Sequence, residues 1–349
     1  MSAALPAMTE QPVLQLGVIG FDLSERAVIA DALQRLPAGW TPWHVAPFAE
    51  GDAWWVNGSR TRVLEDGHLQ VDPGHEREPG ASLRLTAVDR PIAFSTPLAA
   101  RDFEPRCVFR LGDEAGMHSA LHLFGTWLQP LHCLYVAGAL VMRRGAALRQ
   151  TVHHLNHHGR LVAVLDYVAG HVGILPTATP GDLWSAEWDR RPPSAHDLPR
   201  NFIPYTPAQL VWTYVRRTDR DLLPPRYRHD VIHFRHVPRV PPGWLRETQM
   251  MLLRELHAEP AAFDALAQRT GLAPAALALE LSCLYYSGAI TTTAAKAAPR
   301  STGASLPSQP ADTLGMASIQ PHHVSDLERT VPASLDLPGV VSAGPRRAG

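Results

Sequence analysis

The sequence predicts an α/β domain over residues 13–100, a mixed α+β region over 101–240, a compact helical module over 243–293 and a disordered tail over 297–349. Three observations carry this prediction. A buried-strand run, VLQLGVIG at 13–20, precedes a helical pattern and two further apolar runs, AWWV at 53–56 and PIAFS at 91–95, which is the alternation of an α/β unit. Residues 243–293 hold three helical patterns around a glycine turn. Residues 297–349 are rich in Pro, Ser, Ala and Gly and carry no aromatic side chain, so they bury too little surface to offset the entropy of ordering.

The elements follow in chain order. Residues 1–12 read as a loose terminus. A helix is expected from about Ser24 to Leu36, with Asp22 and Glu25 at the three-residue spacing of a capping pair. Leu121–Val141 has apolar residues at mixed spacing, fitting one long helix or two short ones. RLVAVLDYVAGHVGIL at 160–175 reads as a hairpin turning near Val168–Gly170. Proline-rich stretches at 190–207 and 223–242 bracket a helix at 206–217. In the last module, 243–257 buries Leu245, Leu252, Leu253 and Leu256, a short helix covers 261–270, Gly271 makes the turn, and Pro274 opens a third helix. AITTT at 289–293 then reads as a strand.

Composition removes several function classes. The 32 basic and 33 acidic residues nearly cancel, so no overall field favours nucleic acid or anionic membrane. Lys296 is the only lysine and lies beyond the last module, which excludes phosphate-loop and Schiff-base lysine chemistry. There is no GxSxG elbow and no GxGxxG after the first strand. Cys107, Cys133 and Cys283 form neither a CxxC pattern nor a disulfide framework, as expected of reduced thiols in the cytoplasm. The start lacks a signal-peptide pattern, and the longest apolar run, Leu134–Met142, has nine residues where a membrane span needs ~20.

The first hundred residues resemble a response-regulator receiver domain in a degenerate form. The first strand ends Ile19-Gly20-Phe21-Asp22, with one acid where the family carries a pair. AWWV ends at Asn57, in the phosphoacceptor position, and Phe94-Ser95-Thr96-Pro97-Leu98 resembles the family's Lys-Pro-Phe motif with threonine for lysine. Asn57 and Thr96 are 39 residues apart, a shorter interval than receivers use, so one helix is expected to be missing. The resemblance implies a pseudo-receiver that phosphorylation cannot switch, because an amide cannot attack phosphorus and threonine offers no cation. An unrelated small α/β domain stays equally open. Residues 243–293 resemble a winged-helix module. Its third helix, PAALALELSCLYYS, has no basic or amide side chain to read bases; its alanines and Tyr285 or Tyr286 suit contact with a protein.

Two local features remain. Residues 216–246 hold eight arginines (Arg216, Arg217, Arg220, Arg226, Arg228, Arg235, Arg239 and Arg246) against Asp219, Asp221 and Asp230. They are candidates to clamp a phosphate, a nucleotide (a cyclic dinucleotide included) or an acidic partner, with Arg143-Arg144 and Arg190-Arg191 as further candidates; a solvated linker is the bland alternative. HHLNHH at 153–158 is the densest metal-like segment, but it lacks the glutamate of HExxH and reads as a loop or strand edge. Trp184 and Trp188, four apart, read as anchors on one helix face.

The function expected is a cytoplasmic, non-catalytic regulatory adaptor working through contacts with another protein, with no cofactor, no metal site, no catalytic residue and no membrane contact. The alternatives are a DNA-binding regulator using 216–246 and a metal-dependent hydrolase built on His153–His158.

Overall fold

The computed structural model describes residues 10–64, 68–76, 80–99, 103–148, 151–167, 169–192, 194–195, 197–238 and 240–298. The fold is mixed α/β. Its first part runs β1 (Leu14–Ile19), α1 (Leu23–Gln34), β2 (Trp43–Ala46), β3 (Ala53–Val56), β4 (Thr61–Val63), β5 (His68–Val71), β6 (Ala81–Arg84), β7 (Ile92–Thr96), β8 (Val108–Arg110) and α2 (Glu114–Trp127). Strands β2, β1, β3, β7 and β8 form, in that order, an all-parallel sheet. Counted along the chain this is the 2-1-3-4-5 order of doubly wound sheets, with its switch point between β1 and β3. The central strands are almost continuously buried because both sheet faces are covered. Leu14, Leu16, Trp55 and Phe109 meet Ile29 of α1 and Met117, Leu121 and Phe124 of α2 on one face. On the other face Ile19, Trp54, Val56 and Phe94 meet Leu69, Val71 and Leu85.

That second face is where expectation and structure differ. The interval from 57 to 91 holds the antiparallel sheet β4-β5-β6, not a shortened helical crossover. Strands β2 and β8 also escaped the sequence reading, and the break expected at residue 100 falls inside this core, since β8 and α2 complete it. Asp22 caps α1: its carboxylate accepts from the Glu25 amide at 2.8 Å, and Glu25 accepts from the Asp22 amide at 2.8 Å.

The second part comprises α3 (Gln129–Arg144), β9 (Val152–His157), β10 (Arg160–Asp166), β11 (His171–Ile174), α4 (Pro180–Trp184), β12 (Glu187–Arg191), β13 (Ile203–Tyr205) and α5 (Pro207–Arg217). Its antiparallel sheet has the order β12-β9-β10-β11-β13, a Greek-key arrangement with one added strand. The β9–β10 hairpin turns through His158 and Gly159, both at positive φ (51° and 75°), as a two-residue turn that matches strand twist requires. Helices α3 and α5 pack together over the sheet on Tyr135, Leu155, Val162, Leu165, Trp212 and Tyr214.

The third part contains α6 (Arg226–His229), β14 (His233–Phe234), α7 (Glu247–Ala258), α8 (Phe263–Thr270), α9 (Pro274–Tyr286) and β15 (Ile290–Thr291). Gly271 ends α8 in the left-handed region at φ 69°. β15 pairs with β14, which precedes α7, α8 and α9, and Ile232 bridges Ala261 beside it. Leu223, Tyr227 and Ile232 belong to the same core as Leu252, Leu266 and Leu281. Residues 223–232, inside the arginine-rich segment for which a solvated linker is the bland alternative, thus belong to the core of this unit. The tail read as disordered lies, from residue 299 onward, outside the described residues. No helix among the described residues is long and apolar enough to cross a membrane.

Candidate functional site

Ligands of doubly wound sheets bind beyond the strand C-termini at the switch point, here the ends of β1 and β3. Asn57 sits there, 2% exposed, with its side chain fully engaged. Its Nδ2 donates to Glu25 Oε2 at 3.2 Å and Oε1 at 3.3 Å, while Oδ1 accepts from Ser59 N at 3.1 Å and Ser59 Oγ at 2.7 Å. Asp22 faces α1 as its cap, and the hydrogen bond from Ser24 holds its carboxyl below the usual carboxylate range. Thr96 Oγ1 donates to the Phe109 carbonyl at 3.2 Å.

The crevice itself is filled by the inserted sheet. A Cβ on Gly20 would meet Val71 Cγ1 at 3.0 Å and the Asp72 carbonyl at 3.3 Å, and one on Gly74 would lie 2.0 Å from the Phe21 carbonyl. A Cβ on Gly58 would meet the Ser95 carbonyl at 2.1 Å. These contacts leave backbone against backbone where a phosphoryl group and its metal would have to enter.

The arginines of 216–246 go to separate places. Arg217 pairs with Asp52 at 2.6 Å, with both side chains about one-tenth exposed. Arg246 pairs with Glu50 and also donates to its carbonyl at 3.1 Å. Arg220 meets Glu10 at 3.0 Å, and Arg228 meets Asp221. Arg226 lies 5.5 Å from the Tyr227 ring and 5.7 Å from that of Tyr285. Arg216 is half-buried, and its Nη1 is sealed from solvent without a hydrogen-bond partner. Arg235 is exposed, and Arg239 lies outside the described residues. Three of the quenching acids, Glu10, Glu50 and Asp52, come from the first fifty-odd residues, so a local charge count could not find them.

The partnered arginines mark the junction of the three parts. Asp52 also accepts from the Gln15 amide at 2.9 Å, and Val13 N donates to the Arg217 carbonyl at 2.8 Å. His132 of α3 is half-buried near this pair, and desolvation, helped by Arg217, pushes its pKa down to about 4. Glu280 of α9 is buried against Gln249, whose Nε2 donates to it at 2.7 Å, and desolvation raises its pKa.

Near the junction, an open groove of about 460 Å³ runs between residues 218–222 and the start of α9, lined by Thr218, Arg220, Arg228, Ala275, Ala278 and Leu279. Helix α9 itself is committed inward. It packs on α5 and α7, and Cys283 reaches the core of the second part. The tyrosines expected to face a partner are half-buried: Tyr285 packs on Tyr227 and Tyr286 with ring centroids 4.9 and 4.8 Å away, and Tyr286 Oη donates to the Leu222 carbonyl at 3.4 Å.

The histidines lie on β9 and its turn, where alternation sets His154 on the face opposite His153 and His157, and the His158 ring lies 4.1 Å from that of His157. His153 is buried; His154 Nε2 meets the Ala195 carbonyl at 3.2 Å; His157 pairs with Asp182 at 3.0 Å; His158 occupies the turn. Among the described residues no three His, Cys, Asp or Glu side chains come together as a metal site. The thiols are buried, which pushes Cys107 up to about 11 and Cys133 up to about 12, away from thiolate chemistry. Comparison with protein-family models, curated proteins and solved structures finds no match.

Proposed function

We propose that this protein is a non-catalytic regulatory adaptor that acts in the cytoplasm through contacts with another protein, and that its first domain is a pseudo-receiver indifferent to phosphorylation. The observation that carries this reading is the filled switch point: an amide stands where the nucleophile would be, and residues 71–74 close the crevice in front of it. The strand order supports the receiver-like likeness, and the β-sheet insertion in place of helices marks its distance from that family. The three helices with a short strand pair support a winged-helix-like reading of the last part, in which strand β14, from before the first helix, plays the wing. Its third helix is packed on α5, which favours contact within the protein over insertion into a DNA groove.

The test is intact-mass spectrometry of the full chain after incubation with acetyl phosphate and magnesium. The expected result is an unchanged mass. A phosphate adduct overturns the reading. Binding of duplex DNA that weakens steeply with added salt would replace it with the DNA-binding alternative, and stoichiometric retained zinc or manganese by elemental analysis would replace it with the hydrolase.

A further inference from the structure

Arg143 and Arg144 end α3, and α4 with β12 carries two indoles beneath them. The Arg143 guanidinium carbon lies 4.5 Å from the Trp184 ring centroid, and that of Arg144 lies 3.9 Å from the Trp188 centroid. The two tryptophans therefore do not share a helix face: Trp184 ends α4 and Trp188 belongs to β12, and each supports an arginine. β12 is an edge strand, and its register on β9 sets Arg190 opposite His153 and Trp188 opposite Leu155. Residues two apart share a sheet face, so Trp188 and Arg190 lie on the same side as His153. The His153 ring meets the Trp188 ring edge-on at 5.7 Å, and its Nδ1 lies 3.3 Å from Thr151 Oγ1. Burial, with Arg144 and Arg190 close by, lowers the His153 pKa and keeps the imidazole neutral.

The charge of this cluster is unbalanced. Arg143, Arg144 and Arg190 are exposed, and among the described residues no carboxylate pairs with any of them. The nearby acids of β12 alternate to the opposite face, where Asp189 takes Arg191 at 3.7 Å and Asn156 at 2.7 Å. Elsewhere this chain quenches arginines with acids brought from far along the sequence, as at Arg217, Arg220 and Arg246. Here it stacks two on indoles instead. A guanidinium held flat on an aromatic ring keeps its N–H edge free and oriented, and that edge matches two oxygens of one phosphate.

We propose that Arg143, Arg144 and Arg190, with Trp184, Trp188 and His153, form a binding site for the phosphate group of a nucleotide. Arg144 and Arg190 take the phosphate oxygens, and Arg143 flanks them. His153, neutral, offers a ring edge without adding a fourth charge. The acids on the opposite face of the same edge strand favour a small ligand over a nucleic-acid strand.

The experiment is calorimetric titration of the full chain with inorganic phosphate, ATP, GTP and a short single-stranded oligonucleotide, repeated with Arg144→Gln, Arg190→Gln and Arg191→Gln. ATP or GTP should bind one to one and more tightly than inorganic phosphate. Arg144→Gln and Arg190→Gln should each weaken binding about tenfold or more, the loss of one charge-assisted bidentate contact, whereas Arg191→Gln should leave it unchanged. Cooperative thermal unfolding of each variant, at a midpoint close to that of the parent, provides the folding control. Absence of nucleotide binding, equal loss in Arg191→Gln, or inorganic phosphate or the oligonucleotide binding more tightly than either nucleotide would each overturn the assignment.

Discussion

Asn57 turns its donor toward Glu25 and its acceptor toward Ser59, so the side chain is specified as an amide by its neighbours. Asn57→Asp would replace a buried donor with a carboxylate facing a carboxylate. We expect a loss of about 2–4 kcal/mol at neutral pH. The new acid would have a raised pKa in the folded state, so the loss should shrink as pH falls toward 4 and grow as pH rises; denaturant melts at the two pH values check this. A variant as stable as the parent at neutral pH would refute it. His132 has the opposite linkage. Its folded pKa of about 4 lies below its ordinary value of 6.5, so the unfolded chain binds the proton first. The stability due to a neutral His132 is complete above pH 6.5 and is lost as pH falls toward 4, by about 3 kcal/mol. His132→Gln should flatten that part of the stability profile, and an unchanged profile would locate the pH dependence elsewhere.

Helices α3 and α5 cross at Gly138, where a Cβ would lie 2.2 Å from the Leu210 carbonyl and 2.8 Å from Tyr214 Cβ. Gly138→Ala must push the helices apart and should cost about 3 kcal/mol. Gly125 of α2 faces open space, so Gly125→Ala should instead stabilise by about 0.5–1 kcal/mol. Thermal unfolding of the two variants reads the contrast directly. Elements with a complete local signal were legible: the Asp22–Glu25 cap, the β10–β11 hairpin, and α5 behind its Thr206 cap. Elements without one were not. β2 is buried at Trp43 and Ala46 and exposed between them, which matches neither strand alternation nor a buried run. β4 and β6 carry mostly exposed residues and exist because β5 pairs with both. The arginine excess of 216–246 was visible, but its partners Glu10, Glu50 and Asp52 were not, because only the tertiary fold brings them there.

The three parts of the molecule are fastened by charge at the places where they meet. Arg217–Asp52 joins the second part to the first, and Arg246–Glu50 joins the third to the first. Breaking a buried pair leaves one uncompensated charge, so Arg217→Met should cost about 3–5 kcal/mol. The double variant Arg217→Met/Asp52→Asn should recover part of that loss, and a double-mutant cycle by chemical denaturation measures the coupling. Additive losses would mean that the pair contributes no coupling. Replacing Arg228 of α6, whose partner Asp221 stands seven residues before it and is itself exposed, should cost less than 1 kcal/mol.

In the last unit α6 joins the core first, and helices α7, α8 and α9 are then threaded between β14 and β15. Because this pair is antiparallel, the entry residue His233 and the exit residue Thr291 stand side by side. Tension along the chain therefore falls on adjacent ends of one short ladder and peels it apart bond by bond, rather than shearing both strands at once.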